Sequence, residues 1–275
     1  MADKKFPFAV RLFGFDEAES AHISALLTLG PAGAPGYFCL HEDSLQEPDL
    51  FMANGSDIRA LAALSDARPC AMKPALLVGS PQVELPHALI ARPVTSAALF
   101  AALGALVEQR ALALAALTSR GLPTVAERRR RQRPDLDLTD PAQYTARRKA
   151  PPEGAVLIVD RGAALRDHIA KLFTTRKLSI EWTDSAPMAV RLCDETSVAV
   201  VLINTSTPGI DPYALCAQIK QLDGANGIAV VLLVGESFPY HTARARAAGA
   251  RGLLDKPIAD RHLEATLKKL LSLPL

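Results

Sequence analysis

Four short apolar runs in the C-terminal half constrain the fold of this 275-residue chain more than any other feature. They lie at residues 156–160, 200–204, 230–234 and 252–257. Runs of four to six residues that are rich in β-branched side chains and lack alternation are typical of strands buried on both faces, as in parallel sheets covered by helices. Helix-period segments separate the runs, so the pattern predicts a repeated βαβ unit.

Each run ends at a distinctive residue. The residues concerned are Asp160 with Arg161, Asn204, Val234 and Lys256, the last followed by Pro257. The spacing resembles the receiver domain of bacterial two-component response regulators. That family has two adjacent acids after strand 1, a phosphoacceptor Asp ending strand 3, a Ser or Thr ending strand 4 and Lys-Pro ending strand 5. The resemblance implies a doubly wound, flavodoxin-like (CheY-like) α/β fold with a five-stranded parallel sheet in the order 2-1-3-4-5.

The site chemistry departs from the family pattern. Arg161 stands at the second acid position, Asn204 at the phosphoacceptor position and Val234 at the hydroxyl position, while Asp160 and Lys256 are retained. Phosphoryl transfer to a carboxylate needs an oxygen nucleophile and a hard cation held by carboxylates. An amide is not that nucleophile, and Arg161 beside a lone acid repels Mg²⁺. The residues predict a dismantled phosphorylation site with no metal and no other cofactor.

An internal repeat extends the resemblance to the first half. Residues 9–15 align with 155–161, and four later segments follow in the same order. The first copy then carries Gly14 and Phe15 at the acid pair, Asn54 at the phosphoacceptor position, Val78 at the hydroxyl position and Arg92 at the lysine position. No acidic metal cage is left, so this half is expected to be a more degenerate receiver.

These alignments divide the chain into three parts. Residues 1–120 form a receiver-like domain, 121–153 a linker and 154–275 a second receiver-like domain that lacks the phosphoacceptor. Between the fourth and fifth predicted strands, the first copy has only residues 80–87, which include two prolines. Such a segment is too short for a helix, so the fourth helix is predicted to be missing from the first domain.

Residues 96–120 are rich in Ala and Leu and predict one unusually long helix. Leu99, Leu103 and Leu106 can cover the first sheet, and apolar residues continue beyond it at Leu112, Leu114 and Leu117. Two structures are compatible with this pattern. The helix either extends and packs against the second domain or a second copy, giving a homodimer, or folds back as a hairpin on its own domain.

The linker holds the densest charge of the chain. Its basic side chains are Arg128, Arg129, Arg130, Arg131, Arg133, Arg147 and Arg148. They form either a solvated connector or an anion site, because arginine forks bind phosphates and stack on purines. The second alternative resembles receiver-like effectors of cyclic-di-GMP. Nucleic-acid binding is disfavoured by a net charge of +2 and by the lack of a recognition helix, zinc motif or aromatic platform.

Composition favours a soluble protein with substantial cores, because 49% of residues are apolar and 22% are charged. No signal-peptide pattern follows the N-terminal Met, and the most apolar stretch, 97–107, is too short to cross a bilayer. The four cysteines lack Cys-x-x-Cys spacing and are expected to be reduced, in a cytoplasmic protein. The predicted function is a non-enzymatic adaptor or regulator that binds other signalling proteins without phosphorylation; the alternative is a cyclic-dinucleotide effector.

Overall fold

A computed structural model describes residues 6–31, 35–81, 84–119, 154–174, 178–222 and 227–273. The chain divides into two compact units. The first comprises Met1–Glu42 and Glu47–Asp135, and the second comprises Asp43–Gln46 and Leu136–Leu275.

The first unit is a five-stranded parallel sheet with the order β2-β1-β3-β4-β5. Its elements are β1 (Phe8–Phe13), α1 (Glu17–Thr28), β2 (Tyr37–Cys39), β3 (Leu50–Asn54), α2 (Ile58–Ala67), β4 (Ala75–Val78), β5 (Ala88–Ile90) and α3 (Ser96–Ser119).

The second unit has the same strand order, β7-β6-β8-β9-β10, again all parallel. Its elements are β6 (Ala155–Val159), α4 (Ala164–Leu172), β7 (Ile180–Thr183), α5 (Ala186–Glu195), β8 (Val198–Asn204), α6 (Pro212–Lys220), β9 (Ala229–Val234), α7 (Thr242–Ala247), β10 (Gly252–Asp255) and α8 (Asp260–Leu270). The predicted doubly wound α/β fold, with two five-stranded parallel sheets, is confirmed.

Both faces of the second sheet are covered, which explains its unbroken apolar strands. Alternate residues of β6 enter two different cores: Leu157 and Val159 pack on the α5, α6 and α7 side, whereas Val156 and Ile158 pack on the α4 and α8 side. All four side chains are fully buried. A strand that is buried on both faces has no position facing water, so polar residues do not alternate with apolar ones along it.

The two units differ at the connection before the last strand. In the second unit α7 fills this connection, and Leu253 on β10 is fully buried beside Ala245 and Ala248. In the first unit the described residues between β4 and β5 form no helix, and Leu89 on β5 is 53% exposed. One side of the first sheet therefore holds only a small core, and its members are Phe51, Ala53, Leu64, Ala75 and Leu77.

The last helix of the first unit, α3, is continuous from Ser96 to Ser119. Its first half is a core helix, because Leu99, Leu103 and Leu106 are buried against the sheet. Its second half is more open, with Leu112 72% exposed. The helix does not fold back as a hairpin within these 24 residues.

By length and composition alone, α3 could cross a membrane, with a mean hydropathy of 1.5 over its most apolar window. The sequence-based estimate considered only residues 97–107 and missed this, because the apolar character resumes after Glu108, Gln109 and Arg110. Three of its leucines belong to the core of the first unit, and 22% of the most apolar window is buried.

A partly buried ion pair fixes α3 on the sheet. Arg110 Nη2 donates to Asp49 Oδ1 at 2.8 Å, and the other oxygen of Asp49 accepts from the backbone N–H of Ala9 at 3.0 Å. The side chains are 13% and 2% exposed, respectively. Loss of one partner leaves a charge with little access to water, which is costlier than loss of the pair as a whole.

The cysteines have no disulfide partners within the described residues. Cys193 and Cys216 are buried, and burial raises the pKa of each thiol to about 11. Their thiolates are therefore scarce at neutral pH, which makes these two positions structural.

We expect Asp49→Ala to lower the free energy of unfolding by about 3–5 kcal/mol. The substitution removes the carboxylate from a largely buried guanidinium, that of Arg110, and the acceptor from the Ala9 amide. Equilibrium urea unfolding followed by circular dichroism measures the change. The matched control is Arg191→Ala, which removes an exposed (i, i+4) pair with Glu195 and should cost about 0.5 kcal/mol or less. Equal effects of the two substitutions would contradict the assigned role of Asp49.

Candidate functional site

Three polar side chains meet at the carboxyl ends of β6, β8 and β10. Asn204 Nδ2 donates to Asp160 Oδ1 at 2.7 Å, and Lys256 Nζ donates to Asn204 Oδ1 at 2.5 Å. The sheet brings them together because β8 lies next to β6 and the ends of parallel strands share one edge. The result is a continuous chain from carboxylate through carboxamide to ammonium.

The carboxamide of Asn204 suits this position because it has both a donor and an acceptor. Its nitrogen faces the Asp160 carboxylate, and its oxygen accepts from Lys256 and from the backbone N–H of Ser206 at 3.0 Å. A carboxylate at 204 would place two like charges at hydrogen-bond distance, which disfavours the ionised form of one of them. Asn204 is therefore an internal bridge.

The acid side of the site offers little to a metal. Asp160 Oδ1 accepts from Asn204 Nδ2 and also from the backbone N–H of Arg161, each at 2.7 Å. The Arg161 side chain is exposed and supplies a positive charge where receivers carry a second acid. Within the described residues, no cluster of three or more His, Cys, Asp or Glu side chains could hold a metal ion. The Mg²⁺ of the receiver family does not fit this donor set.

Lys256 is half-buried, and its pKa lies below the ordinary lysine value because burial disfavours the charged form. The nearby Asp160 carboxylate opposes this shift by favouring the ammonium. A group with a depressed pKa in the folded state binds fewer protons than the unfolded chain between the two pKa values, so stability rises with pH through that interval. The Asp160 charge limits the size of this effect.

The hydroxyl position of the second unit is closed. Val234 is 2% exposed and belongs to the core beneath the site. The adjacent hydroxyl of Thr205 is engaged with the Leu233 carbonyl at 3.0 Å. The end of β9 therefore presents no free hydroxyl to the site.

Sequence reasoning missed the part played by Trp182. Its indole Nε1 on β7 donates to the backbone carbonyl of Asp160 at 3.0 Å and so fixes the turn that carries the acid. The sequence placed Trp182 on the second strand of this domain, but a main-chain contact across 22 residues leaves no pattern in the sequence. The single tryptophan of the chain is a built-in reporter of this site.

The first unit repeats the asparagine turn without the charges. Asn54 Oδ1 accepts from the N–H of Ser56 at 3.0 Å, as Asn204 does from Ser206, and Asn54 Nδ2 donates to the carbonyl of Gly14 at 2.9 Å. Gly14 has a φ of +71°, and a Cβ there would lie 2.3 Å from Ala60 Cβ on α2. No side chain, and hence no acid, fits at Gly14.

Phe15, the other residue at the acid-pair position, is half-buried and packs against the core under α1 and α3. It is therefore part of the packing of the first unit. Neither residue of the former acid pair offers an oxygen ligand from its side chain.

The strand registers correct one residue assignment. Asn54 pairs with Val78 across β3 and β4, whereas Asn204 pairs with Leu233 across β8 and β9. Val78 is thus the counterpart of Leu233, and Gly79 is the counterpart of Val234. The sequence alignment was wrong by one residue here, because Leu-Leu-Val-Gly occurs in both strands and aligns without a gap.

Arg92, at the lysine position of the first unit, is bonded to Glu19. Its Nε and Nη2 atoms donate to the two carboxylate oxygens of Glu19 on α1, at 2.9 and 3.0 Å. The pair borders an open cleft of about 540 Å³, which is lined by Glu19, His22, Arg92, Pro93 and Val94. Arg92 therefore serves as a brace between β5 and α1, whereas Lys256 bonds to Asn204.

The seven arginines considered as an anion site, from Arg128 to Arg148, lie outside the described residues. Their geometry does not enter the site described here.

Known proteins are similar to the second unit of the chain. Residues 156–268 match the family model of the response regulator receiver domain. The two-component response regulator ORR6 of Oryza sativa subsp. japonica is 28% identical over 113 residues, which is 40% of this chain and 66% of that protein. The match thus spans just under two thirds of the relative.

Solved structures give similar matches of about one domain. A putative response regulator from Chloroflexus aurantiacus is 20% identical, with a TM-score of 0.39 and coverage of 45% of this chain and 99% of that one. The receiver domain of the sensor histidine kinase PA1611 from Pseudomonas aeruginosa, solved with magnesium in its active-site cleft, is 16% identical, with a TM-score of 0.39 and coverage of 44% and 98%.

Three observations on the second unit agree with one another: its strand order, the asparagine and lysine at its strand ends, and the family match over 113 residues. Residues 156–268 are therefore similar to the receiver domain of response regulators, and the first unit repeats the same strand order.

Proposed function

We propose that this chain is a regulator or adaptor of two-component-type signalling that works without phosphorylation, by binding other proteins through its receiver units. The observation that carries the proposal is the carboxamide of Asn204, which bridges Asp160 and Lys256. This arrangement occupies the groups that a phosphorylated receiver uses and contains no oxygen nucleophile at the strand end.

The chemistry of phosphoryl transfer supports the proposal. The transferring group carries negative charge that a divalent cation must neutralise while a carboxylate oxygen attacks in line. The strand-end site of the second unit has one carboxylate, that of Asp160, which is already bonded to two N–H groups and has an arginine beside it. Neither the nucleophile nor the metal has a place in this site.

The first unit supports the proposal independently. The van der Waals contact of Gly14 with α2 leaves no room for an acid, and Arg92 is held by Glu19. A receiver that lacks its reaction can still act through its surfaces, since fold and site are separable. Proteins of the same signalling class are the proposed partners, and the open second half of α3 makes a homodimer through helix 96–120 part of the proposal.

The pocket is tested with magnesium and beryllofluoride on the intact chain. Because Trp182 bonds to the Asp160 carbonyl, its fluorescence should report occupation of the site. We expect no saturable change in the parent protein. A saturable response of the parent would overturn the proposal.

A matched variant shows that the readout works. Arg161→Asp combined with Asn204→Asp restores the acid pair and the phosphoacceptor next to the retained Lys256. This variant is expected to bind magnesium and to show a saturable change in Trp182 fluorescence. The single change Asn204→Asp should instead lower the melting temperature, because it places a carboxylate against Asp160 without relieving the charge.

The density of arginines at Arg128–Arg131, Arg133, Arg147 and Arg148 favours a second candidate, an effector that binds a cyclic dinucleotide. Isothermal titration calorimetry with cyclic-di-GMP decides it. Saturable heat in the parent that is lost when Arg128 to Arg131 are changed to Ala would establish this candidate. No heat in the parent ends it.

A further inference from the structure

The asparagine that ends β3 in the first unit is followed by a glycine. Asn54 precedes Gly55, whereas Asn204 in the second unit precedes Thr205. In an Asn-Gly pair the glycine nitrogen can attack the carbon of the asparagine carboxamide, because glycine has no side chain to hinder the approach and its backbone bends easily. The pair Asn54–Gly55 is therefore chemically suited to deamidation.

The reaction needs only water and base. A bond forms between the side-chain carbon of Asn54 and the nitrogen of Gly55, which gives up its proton to solvent. The bond between that carbon and Nδ2 breaks, and Nδ2 takes up a proton and leaves as ammonia. Water then opens the resulting five-membered succinimide to give aspartate or isoaspartate. The side chain at position 54 thereby loses its donor and gains a negative charge.

The folded strand end engages both nitrogens that the reaction uses. The N–H of Gly55 donates to the Val78 carbonyl at 2.8 Å, and Asn54 Nδ2 donates to the Gly14 carbonyl at 2.9 Å. Gly55 is also buried. Ring closure takes the hydrogen from the first nitrogen and removes the second, so both hydrogen bonds must break. The closed strand end therefore holds the pair unreactive.

The packing of the neighbouring strand accounts for the glycine. A Cβ at Gly55 would lie 3.3 Å from the Val78 carbonyl oxygen and 3.5 Å from Pro81 Cδ. Glycine allows this close approach of two backbones. In the second unit the larger Thr205 follows the asparagine, and its hydroxyl donates to the Leu233 carbonyl. The close fit of the first unit thus comes with a reactive pair that the second unit lacks.

The products do not fit the closed strand end. A carboxylate at position 54 would face the Gly14 carbonyl with an oxygen in place of the Nδ2 donor. Isoaspartate adds a methylene to the main chain and so disturbs the register in which residue 54 pairs with Val78. Either product weakens the contacts that keep this end closed.

We propose that Asn54 is a deamidation site controlled by the end of β3: it reacts when the strand end opens, and the product then keeps the end from closing. The first unit thereby carries an irreversible chemical mark of its own opening. The proposal goes beyond the proposed function, because it involves neither a partner protein nor a phosphoryl group.

The test follows the fraction of aspartate and isoaspartate at position 54 by peptide mass spectrometry during incubation at mildly alkaline pH. The rate in the folded full chain should be at least tenfold lower than in a synthetic peptide of residues 50–60. Urea should raise the rate in the full chain to that of the peptide. Asn204 should react more slowly than Asn54 in urea, because Thr205 hinders the attack. Equal rates in the folded chain and the peptide, or no acceleration in urea, would overturn the proposal.

A variant opens the strand end locally. Gly14→Ala places a Cβ against Ala60 Cβ on α2 and should raise the rate at Asn54 at least tenfold over the parent. The matched control is Leu27→Ala, which removes buried side-chain volume from the other end of α1 and should raise the rate less. A folded Gly14→Ala chain that reacts no faster than the control overturns the proposal. If Gly14→Ala does not fold, the comparison of parent and peptide still decides.

Asn54→Asp reproduces one product without the reaction. This variant should reduce the hydrogen-exchange protection of the Gly55 amide at least tenfold relative to the parent. Ser65→Asp, which adds a carboxylate at an exposed position of α2, should leave that protection unchanged. Undiminished protection in the Asn54→Asp chain would show that the product closes normally and would overturn the proposal.

Discussion

A single carboxamide holds three strand ends of the second unit together. Asn204 closes β8, donates to the acid after β6 and accepts from the lysine after β10. The burial of Lys256 makes this bridge important, because a half-buried ammonium needs an acceptor and the amide oxygen provides one next to a negative charge. The neighbouring contacts of Arg161, Ser206 and Trp182 build on this arrangement, and the chemistry open to the site follows from it.

The two units share one turn after the third strand but differ in the partner of its asparagine. Both place an asparagine at the end of the third strand, and in both its oxygen accepts from the N–H two residues later. In the second unit the amide nitrogen bonds to a carboxylate, whereas in the first it bonds to a main-chain carbonyl. The turn is therefore independent of the charges around it. The asparagine stabilises the local backbone whether or not an ion pair surrounds it.

The sequence predicted the fold, and it placed Asp160, Asn204 and Lys256 at one edge of the sheet, because both predictions depend on local signals. Apolar runs of fixed length mark buried parallel strands, and residues at their carboxyl ends must lie at one edge of the sheet. What it could not predict were the contacts set by register and by distant main-chain groups. The equivalence of Gly79 in the first sheet and Val234 in the second depends on a one-residue offset that a gapless alignment hides. The Arg92–Glu19 pair and the Trp182 hydrogen bond each join residues that are far apart in sequence.

The fit of Gly14 against Ala60 gives the two units unequal tolerance to substitution at the end of their first strand. In the second unit the residues concerned, Arg161 and Asn204, lie at exposed or half-buried polar positions. In the first unit a Cβ at Gly14 would lie 2.3 Å from another carbon, so any side chain at that position requires that α2 itself be moved. Position 14 is therefore restricted by the packing of a helix, whereas positions 161 and 204 are restricted only by their own side-chain contacts.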